Sequence, residues 1–397
     1  MIGRGLPPTD SKFMQTATNP PPASPSESPL DVAIVGGGPI GLELAVAAAR
    51  EGLSYTVFEA GQIGHTISWW APQTRWFSGN ERIAIAGVPL ESADQSKSTR
   101  EQYLAYLRAI VRQFDLDVRT FSKVVSVEGD AAQGFTLAVQ NHLRLDRVMA
   151  KAVVLAVGGT DYPKRLGTPG EDLSHVDSYF REPHRYFGRR VLIIGGRNSA
   201  VEAAIRATAA GADVAISYRG PHLPRQSIKY WLLPEIEGMI RGGRVRGYFG
   251  TVPVHITPAP VRLRRLAEIE VSPDMQSADQ QSQTEWDVLA DDVLSLIGYE
   301  QDKTLLRQCG IELIGQTQRP SFDETTMMTN VPGIYVAGTA IAGTQSSRYR
   351  VFVENCHDHV ARIIRSLRGT EITQHSAAAA WKTDEIFQAQ IEALPES

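Results

Sequence analysis

The chain alternates short apolar runs with glycine turns and alanine-rich segments. Residues 31–35 predict a buried strand, 36–41 a glycine turn, and 42–51 a helix whose alanines allow close packing on a sheet. Residues 55–59 predict the next strand. The same order begins again at residue 190. Because a strand, a turn and a helix in this order are typical of parallel α/β units, the pattern predicts two such units.

The periodicity elsewhere predicts that the second unit is inserted within the sequence of the first domain. The elements that support this are an amphipathic helix over 101–114, alternating antiparallel strands over 118–146, a buried strand over 151–157, strands over 292–298 and 333–338 that return to the first domain, and a closing helix over 352–368.

Length and breaker residues divide the chain further. Its 397 residues exceed what one hydrophobic core usually serves, so two domains are expected. The predicted parts are a disordered extension rich in Pro, Ser and Thr over 1–30, a first domain formed by 31–183 and 291–369, an inserted domain over 184–290 with an exposed polar excursion over 272–284, and a loose tail over 370–397.

Composition excludes several functional classes. Lys and Arg number 40 against 44 Asp and Glu, a formal charge of −4, so nucleic acid is not an expected partner. No apolar run approaches the roughly 20 residues that a membrane span needs. The two cysteines, Cys309 and Cys356, form no Cys-x-x-Cys pair and no metal site is expected. Free thiols without a recognisable signal sequence predict a cytoplasmic protein.

The first turn has the spacing of a dinucleotide site. Gly36, Gly38 and Gly41 let the backbone approach a pyrophosphate, and the following helix directs its free N–H groups at the charge. Glu59 lies 18 residues beyond Gly41, at the end of the next strand, where a carboxylate accepts ribose hydroxyls and repels a 2′-phosphate. FAD and NAD both satisfy this pattern.

Two later strand ends favour FAD. The runs 154–159 and 333–338 both end in small residues, where backbone can pass close to a flavin nucleotide. The predicted FAD contacts are Gly36, Gly38, Pro39, Ile40, Gly41, Glu59, Ala60, Val125, Ala156, Gly158, Gly338 and Thr339.

The second turn differs in charge. Arg197 replaces the expected central glycine, and Tyr218 and Arg219 stand where the first unit has its acid. Because arginine suits a phosphate dianion, the sequence favours NADPH over NADH; the alternatives are solvated arginines, or a nicotinamide site blocked or lost through Arg197. The predicted NADPH contacts are Gly195, Gly196, Arg197, Asn198, Ser199, Ala200, Tyr218, Arg219 and Arg225, with Asn198 and Ser199 capping the helix. The fold class is thus predicted as α/β with two Rossmann-like dinucleotide-binding domains, the NAD(P)H domain inserted in the FAD domain.

These residues resemble the YpdA-type bacillithiol disulfide reductases, which belong to the thioredoxin-reductase-like flavoproteins. The resemblance covers about 31–368, and its motifs lie at 180–187, 195–200, 218–220, 227–235, 298–299, 328–333 and 352–355. It implies FAD and NADPH as cofactors, a small-molecule disulfide as acceptor, and assembly as a homodimer or homotetramer.

The chain departs from this family at two positions. The family's proposed redox cysteine falls directly before the last glycine of the first turn, where this chain has Ile40, and isoleucine forms no mixed disulfide. Thr339 stands where many relatives have an aspartate. Of the two thiols, Cys309 is expected to be structural, and Cys356 is the better candidate for a reactive thiol. The catalytic residues stay unknown.

The primary hypothesis is hydride transfer from NADPH to FAD, followed by delivery to a disulfide or another acceptor. The alternatives are a flavin monooxygenase, a ferredoxin-type carrier reductase, and a non-catalytic flavoprotein that senses NADPH. Trp69, Trp70 and Trp76 either line the acceptor pocket or pack in the core. His175, His184 and His357 are possible proton donors, although a single histidine is more often structural.

Overall fold

The structure is a computed structural model that describes residues 28–269, 284–344 and 351–369. The predicted N-terminal extension, the polar excursion over 272–284 and the C-terminal tail lie outside these residues, apart from a few residues at their borders.

Strands and helices alternate through most of the described chain. The strands are β1 (Leu30–Val35), β2 (Tyr55–Phe58), β3 (Val118–Arg119), β4 (Lys123–Asp130), β5 (Gly134–Gln140), β6 (Leu145–Leu155), β7 (Tyr162–Pro163), β8 (Val176–Asp177), β9 (Arg190–Ile194), β10 (Asp213–Tyr218), β11 (Val245–Phe249), β12 (Thr251–Ile256), β13 (Pro260–Arg265), β14 (Glu285–Leu289), β15 (Asp292–Ser295), β16 (Tyr299–Glu300), β17 (Leu313–Ile314), β18 (Arg319–Pro320) and β19 (Ile334–Val336). The helices are α1 (Pro39–Arg50), α2 (His65–Ser68), α3 (Asn80–Ile83), α4 (Arg100–Gln113), α5 (Asn198–Ala209), α6 (Leu232–Arg241), α7 (Thr304–Gln308) and α8 (His357–Arg368).

A seven-stranded sheet in the order β3-β2-β1-β6-β5-β4, with β19 also paired to β6, forms the first lobe. β1 runs parallel to β2 and β6, and its residues Val32, Ala33 and Ile34 are fully buried. The first half of β6 pairs antiparallel with β5, and its second half pairs parallel with β1 and with β19. The antiparallel strands predicted over 118–146 and the strand over 151–157 therefore meet in one continuous strand.

A five-stranded parallel sheet, ordered β11-β10-β9-β15-β8, forms the second lobe together with the antiparallel sheet β12-β13-β14. The prediction that 292–298 returns to the first sheet is wrong, because β15 pairs with β9 and β8. Strand 334–336 does return to the first sheet, as predicted. A mixed sheet whose parallel strands include β1, β2 and β6, a second sheet that is all parallel, and the helices packed on them confirm the predicted α/β fold class.

Two short strands carry the chain between the lobes. β7 leaves the first lobe, and β16 returns to it; they pair antiparallel, Tyr299 opposite Pro163. The pairing continues at both ends, where Asp161 N–H donates to the Glu300 carbonyl and Lys164 N–H donates to the Gly298 carbonyl, each at 2.9 Å. The two crossings thus form a single hydrogen-bonded ribbon, called here the crossing ribbon.

Over the described residues, no helix is long and apolar enough to cross a membrane.

A buried ion pair joins the first helix of the first lobe to its last. Glu43 on α1 is 4% exposed, and its Oε2 lies 2.7 Å from Nδ1 of His357 on α8. Nε2 of His357 lies 3.0 Å from the Arg82 carbonyl oxygen. With the ring protonated, both N–H groups have acceptors. Burial lowers the pKa of His357, but the hydrogen bond and the charge of Glu43 outweigh that effect, so the pKa is raised above its ordinary value.

His357→Gln tests the stabilising role of this pair. We expect the free energy of unfolding at pH 6 to fall by about 3–5 kcal/mol, because Glu43 is left buried without its cation. Since the folded state raises the pKa of His357, its contribution is full below the unfolded pKa and is lost as pH rises through the folded pKa. Urea unfolding between pH 6 and 8.5 should therefore show a smaller loss of stability with pH in the variant than in the parent.

His142→Gln is the matched control, because His142 is exposed on the β5–β6 hairpin. Equal pH dependence in the parent and His357→Gln would contradict the assignment of a charged imidazole to this pair.

Candidate functional site

The first glycine turn joins β1 to α1 at the carboxyl edge of the first sheet. Gly36 has φ +114°, and a Cβ added there would collide with the carbonyl oxygen of Ala156, which follows β6. Gly38 is the N-cap of α1, and a Cβ added to it would meet no described atom within 4 Å beyond its chain neighbours. The turn is therefore closed toward the sheet and open beside the helix N-terminus, which fits a phosphate group.

Glu59 lies directly after β2 and is buried against this turn. Its Oε2 accepts a hydrogen bond from Gly37 N–H, and its Oε1 accepts one from Gly61 N–H, both at 2.7 Å. Two backbone donors therefore hold the carboxylate in place, and each oxygen keeps a lone pair for a further donor. This arrangement fits the ribose hydroxyls of an adenosine, as the sequence predicts.

Most of the other residues predicted to contact FAD line the same cleft. They are Pro39, Ile40, Ala60, Ala156, Gly158, Gly338 and Thr339. Gly41 is buried beneath the turn, where an added Cβ would collide with the Gly36 carbonyl. Val125 is not among the lining residues, whereas its neighbours Lys123 and Val124 are.

The second turn has the same construction in the second lobe. Gly195 has φ +142°, and an added Cβ would collide with the carbonyl of Leu296, which follows β15. Gly196 lies beneath the ring of Tyr218, whose Cδ2 would be 2.5 Å from an added Cβ. In both lobes the glycine after the first strand thus packs against the backbone that follows the neighbouring strand. Such a position is a topological switch point, where α/β folds bind nucleotides.

Asn198 has a different role from the predicted one. The N-cap of α5 is Arg197, with no side-chain capping bond, and Asn198 is the first helical residue. Its Oδ1 instead accepts a hydrogen bond from Lys229 N–H at 2.6 Å. The prediction that Asn198 caps the helix is therefore wrong, because its side chain reaches the segment before α6. Among the described residues, the N-cap of α5 makes no side-chain capping hydrogen bond.

The three arginines predicted to bind NADPH have different surroundings. Arg197 and Arg219 are exposed and line the cleft, and neither side chain forms an ion pair within the described part of the chain. Arg225 does not line the cleft, and its guanidinium lies 3.0 Å from Glu237. Arg219 is therefore better placed than Arg225 to meet a phosphate. Of the remaining predicted residues, Ser199 lines the cleft and Ala200 is buried under the turn.

Both turns open into one cleft between the lobes, with a volume of about 2070 Å³. The first lobe contributes the turn at 36–40 and a wall over 64–82, and the second contributes the turn at 195–199 and the backbone over 296–300. The size exceeds the roughly 300–1,000 Å³ of a single small-molecule pocket. The cleft is therefore large enough for two extended ligands that approach each other.

Specific contacts dock the second lobe on the wall over 64–82. Arg206 donates to Thr74 Oγ1 at 3.2 Å and to the Pro72 carbonyl. The Lys229 ammonium donates to the Arg75 carbonyl and pairs with Glu202, both at 3.3 Å. Beside them, the rings of Phe77 and Trp231 are stacked with centroids 5.6 Å apart. These contacts fix how the two turns face each other.

The three tryptophans line the cleft and pack against one another or against neighbouring rings, so a role in binding the acceptor stays a prediction. Trp69, Trp70 and Trp76 all line the cleft. Trp76 is also packed against Tyr103, with ring centroids 4.5 Å apart, and against Trp70 at 4.8 Å. Trp69 Nε1 donates to His65 Nε2 at 3.3 Å. The wall is therefore aromatic toward the cleft and rigid behind it.

Neither cysteine is placed for thiol chemistry in the cleft. Cys356 is fully buried, its Sγ donates to the Phe352 carbonyl at 2.9 Å, and burial raises its pKa well above the ordinary value. Burial likewise raises the pKa of Cys309 to about 11. The preference for Cys356 as a reactive thiol is therefore corrected, because a buried thiol with a raised pKa forms little thiolate.

The histidines are structural or lie away from the turns. Both nitrogens of His357 point to internal acceptors, which argues against its predicted role as proton donor. His184 is exposed on the 3-10 helix Pro183–Tyr186. The Nε2 of His175 is buried, with no partner among the described residues. A histidine that sequence reasoning missed, His359, accepts a hydrogen bond from Gly338 N–H at 3.1 Å and so supports a predicted FAD contact.

Sequence reasoning also missed Glu43, Lys229 and Gln301. Glu43 had a usable signal, because it interrupts a run of apolar helix residues and a buried acid needs a partner. Lys229 lies in a family motif, but only the fold brings it to Arg75. Gln301 had no local signal, since its partners lie 143 and 39 residues away along the chain.

Comparison with known proteins agrees with this geometry. The family model described as pyridine nucleotide-disulphide oxidoreductase matches residues 33–338. Bacilliredoxin reductase Bdr of Bacillus subtilis (strain 168) is 32% identical over 338 residues, covering 85% of this chain and 97% of the relative. The solved bacillithiol disulfide reductase Bdr (YpdA) from Bacillus cereus is 31% identical, with a TM-score of 0.76 over 86% of this chain and 99% of that one. A ferredoxin–NADP reductase of Ignicoccus hospitalis is 26% identical over 317 residues, covering 78% and 89%.

These matches confirm the predicted resemblance and the prediction of an FAD-dependent NAD(P)H oxidoreductase with FAD and NADPH as cofactors. The family model covers most of the chain, and the Bacillus subtilis relative is matched over nearly its whole length. The chain therefore belongs to the pyridine nucleotide-disulphide oxidoreductase family.

Proposed function

We propose that the protein passes electrons from NADPH to FAD and then reduces a small disulfide directly, with no protein thiol as intermediate. The observation that carries the proposal is the single cleft into which both glycine turns open. Two dinucleotides that start from these turns extend toward each other. The absence of a thiol on this cleft selects direct reduction.

The first lobe would hold FAD, whose isoalloxazine supplies the electron chemistry when bound. The open side of Gly38 and the start of α1 would take the pyrophosphate. Glu59 would accept the ribose hydroxyls, and its two backbone donors keep its carboxylate oriented. His359 holds the Gly338 N–H from behind, which fixes the backbone beside Thr339.

The second lobe would hold NADPH. Arg219 follows β10, the place where the adenosine ribose lies in this kind of site, and its planar guanidinium suits a 2′-phosphate. Arg197 adds positive charge at the open N-terminus of α5 and would replace the missing glycine contact with a cation. Exposure of both side chains supports these roles.

Arg219→Gln tests the cofactor assignment. We expect the KM for NADPH, measured in steady-state turnover with an artificial electron acceptor, to rise about 10- to 100-fold, because a charged hydrogen bond is worth about 1.5–3 kcal/mol. The KM for NADH should change little, since NADH has no 2′-phosphate.

Arg225→Gln is the matched control, because Arg225 is paired with Glu237 and does not line the cleft. An equal effect of both variants on NADPH would refute the role of Arg219. A purified parent protein without a flavin band, or one that NADPH does not bleach, would refute the proposed function itself.

The acceptor is proposed from two facts. Two relatives are named bacillithiol disulfide reductase and bacilliredoxin reductase, and the first name gives a small disulfide as substrate. This chain has only two cysteines, both buried with raised pKa values, and the resemblance implies that Ile40 stands at the family's cysteine position. Reduction of the acceptor would therefore consume two electrons and two protons, break its S–S bond and release two thiols without a mixed disulfide to the protein.

Alkylation with iodoacetamide distinguishes direct reduction from thiol relay. The parent should keep its turnover of a small disulfide after treatment in the folded state, since no thiol faces the cleft. Ile40→Cys places a thiol at the N-terminus of α1, where the helix dipole lowers its pKa, so turnover of this variant should become sensitive to alkylation. Ile40→Ala controls for the loss of side-chain volume. Inactivation of the parent by alkylation would contradict direct reduction.

A ferredoxin-like carrier is the second candidate acceptor, favoured by the Ignicoccus hospitalis relative. A turnover of ferredoxin that exceeds that of any small disulfide would select it.

Assembly as a homodimer or homotetramer stays a prediction, and so does a cytoplasmic location. The two free thiols support the cytoplasmic location.

A further inference from the structure

Gln301 occupies the place where the chain re-enters the first lobe. It directly follows β16, the returning strand of the crossing ribbon, and only 5% of its surface is exposed. The next residue, Asp302, is tied to the other strand, because its N–H donates to Asp161 Oδ2 at 2.8 Å. Gln301 is thus anchored on both sides by the ribbon that joins the lobes.

The amide nitrogen of Gln301 bridges two backbone segments that line the cleft. Nε2 donates to the carbonyl of Gly158 and to the carbonyl of Ala340, each at 2.9 Å. Gly158 follows β6, and Ala340 lies in the 3-10 helix Gly338–Ala342. A primary amide has two N–H hydrogens, so these two carbonyls use its whole donor capacity.

The bridged segments touch each other beside the cleft. A Cβ added to Gly159 would come within 2.9 Å of the Thr339 carbonyl oxygen, so the two backbones are in contact there. Gly158, Gly159 and Thr339 all line the cleft. The Gln301 amide therefore sits behind this contact and sets the spacing of the two segments.

The orientation of the amide is fixed by its neighbours. Turning it over would direct Oε1 at two carbonyl oxygens, which repel it. In the observed orientation Oε1 is buried and has no hydrogen-bond partner among the described residues. Burying an oxygen without a partner costs free energy. We therefore attribute the presence of glutamine at this position to the two hydrogen bonds that its Nε2 donates, which offset that cost.

We propose that Gln301 is a positioning residue for FAD, which holds the backbones at Gly158–Gly159 and Gly338–Thr339 at the spacing that the cofactor needs and sets that spacing from the crossing ribbon. The inference rests on the proposed function, in which these segments contact FAD. In this proposal one side chain connects the crossing ribbon to the two backbone segments that would contact FAD.

Gln301→Met tests the bridge, because methionine has a similar length and no N–H donor. We expect apoprotein titrated with FAD to show an affinity at least tenfold weaker than the parent's, and the bound flavin to show a shifted visible band. Tyr162→Phe is the matched control: it removes the bond from Tyr162 Oη to Asp302 Oδ2 at 3.0 Å in the same ribbon and leaves both carbonyls bridged. Its FAD affinity should equal the parent's.

Gln301→Glu supplies a second measurement, the pH dependence of FAD affinity, which should not change if Gln301 only stabilises the fold. The introduced carboxylate repels both carbonyls, whereas its protonated form can donate to one of them; burial raises its pKa. FAD affinity of this variant should therefore recover as pH falls from 8 to 5.5, with no matching recovery in Gln301→Met.

The outcomes separate this inference from the proposed function. A parent that binds FAD, together with a Gln301→Met protein that binds it within twofold and with an unchanged spectrum, would overturn the role of Gln301 alone. If Gln301→Met does not fold, an affinity of Gln301→Glu that does not respond to pH overturns it. A parent that binds no FAD overturns both.

Discussion

The docking of Lys229 and Arg206 on the backbone of residues 72–75 is the constraint on which the cleft depends. Each glycine turn is complete within its own lobe, but a turn alone binds one ligand and performs no reaction. The carbonyls of Pro72 and Arg75 in the irregular wall of the first lobe accept hydrogen bonds from two cations of the second lobe, and Glu202 pairs with both cations. Since one of these cations is attached through its backbone to Asn198, the second turn is tied directly to the interface.

Local chemistry explains why the turns could be predicted from sequence. The collisions that an added Cβ would cause at Gly36 and Gly195 are with the backbone of a neighbouring strand, so glycine is required there in any chain that builds this sheet. The signal is therefore carried by the residue itself. Glu59 could be predicted for the same reason, because its charge and its position at the end of a strand both follow from the sequence.

Pairing across the fold could not be read in the same way. Asp292–Ser295 is fully buried on both faces, and such a strand carries no mark of which parallel sheet it joins. Arg219 and Arg225 look equivalent as residues, yet Glu237 neutralises only the second. Cys356 stands beside the motif 352–355 but points into the core, a direction that depends on the packing of α8. In each case the missing information is a partner distant in sequence.

The same packing limits where the protons of the reaction come from. His357 has both N–H groups committed to Glu43 and the Arg82 carbonyl, and releasing one toward the cleft would leave a buried carboxylate without its cation, which is strongly unfavourable. The proposed disulfide reduction would release thiols whose ordinary pKa is about 8.5, so their protonation near pH 7 is favourable without a dedicated acid. In a cleft this wide, water can deliver those protons. In the proposed reaction the protein then has to position two cofactors and an acceptor relative to one another, and the turns, the docking contacts and the Gln301 bridge are the features that we assign to that task.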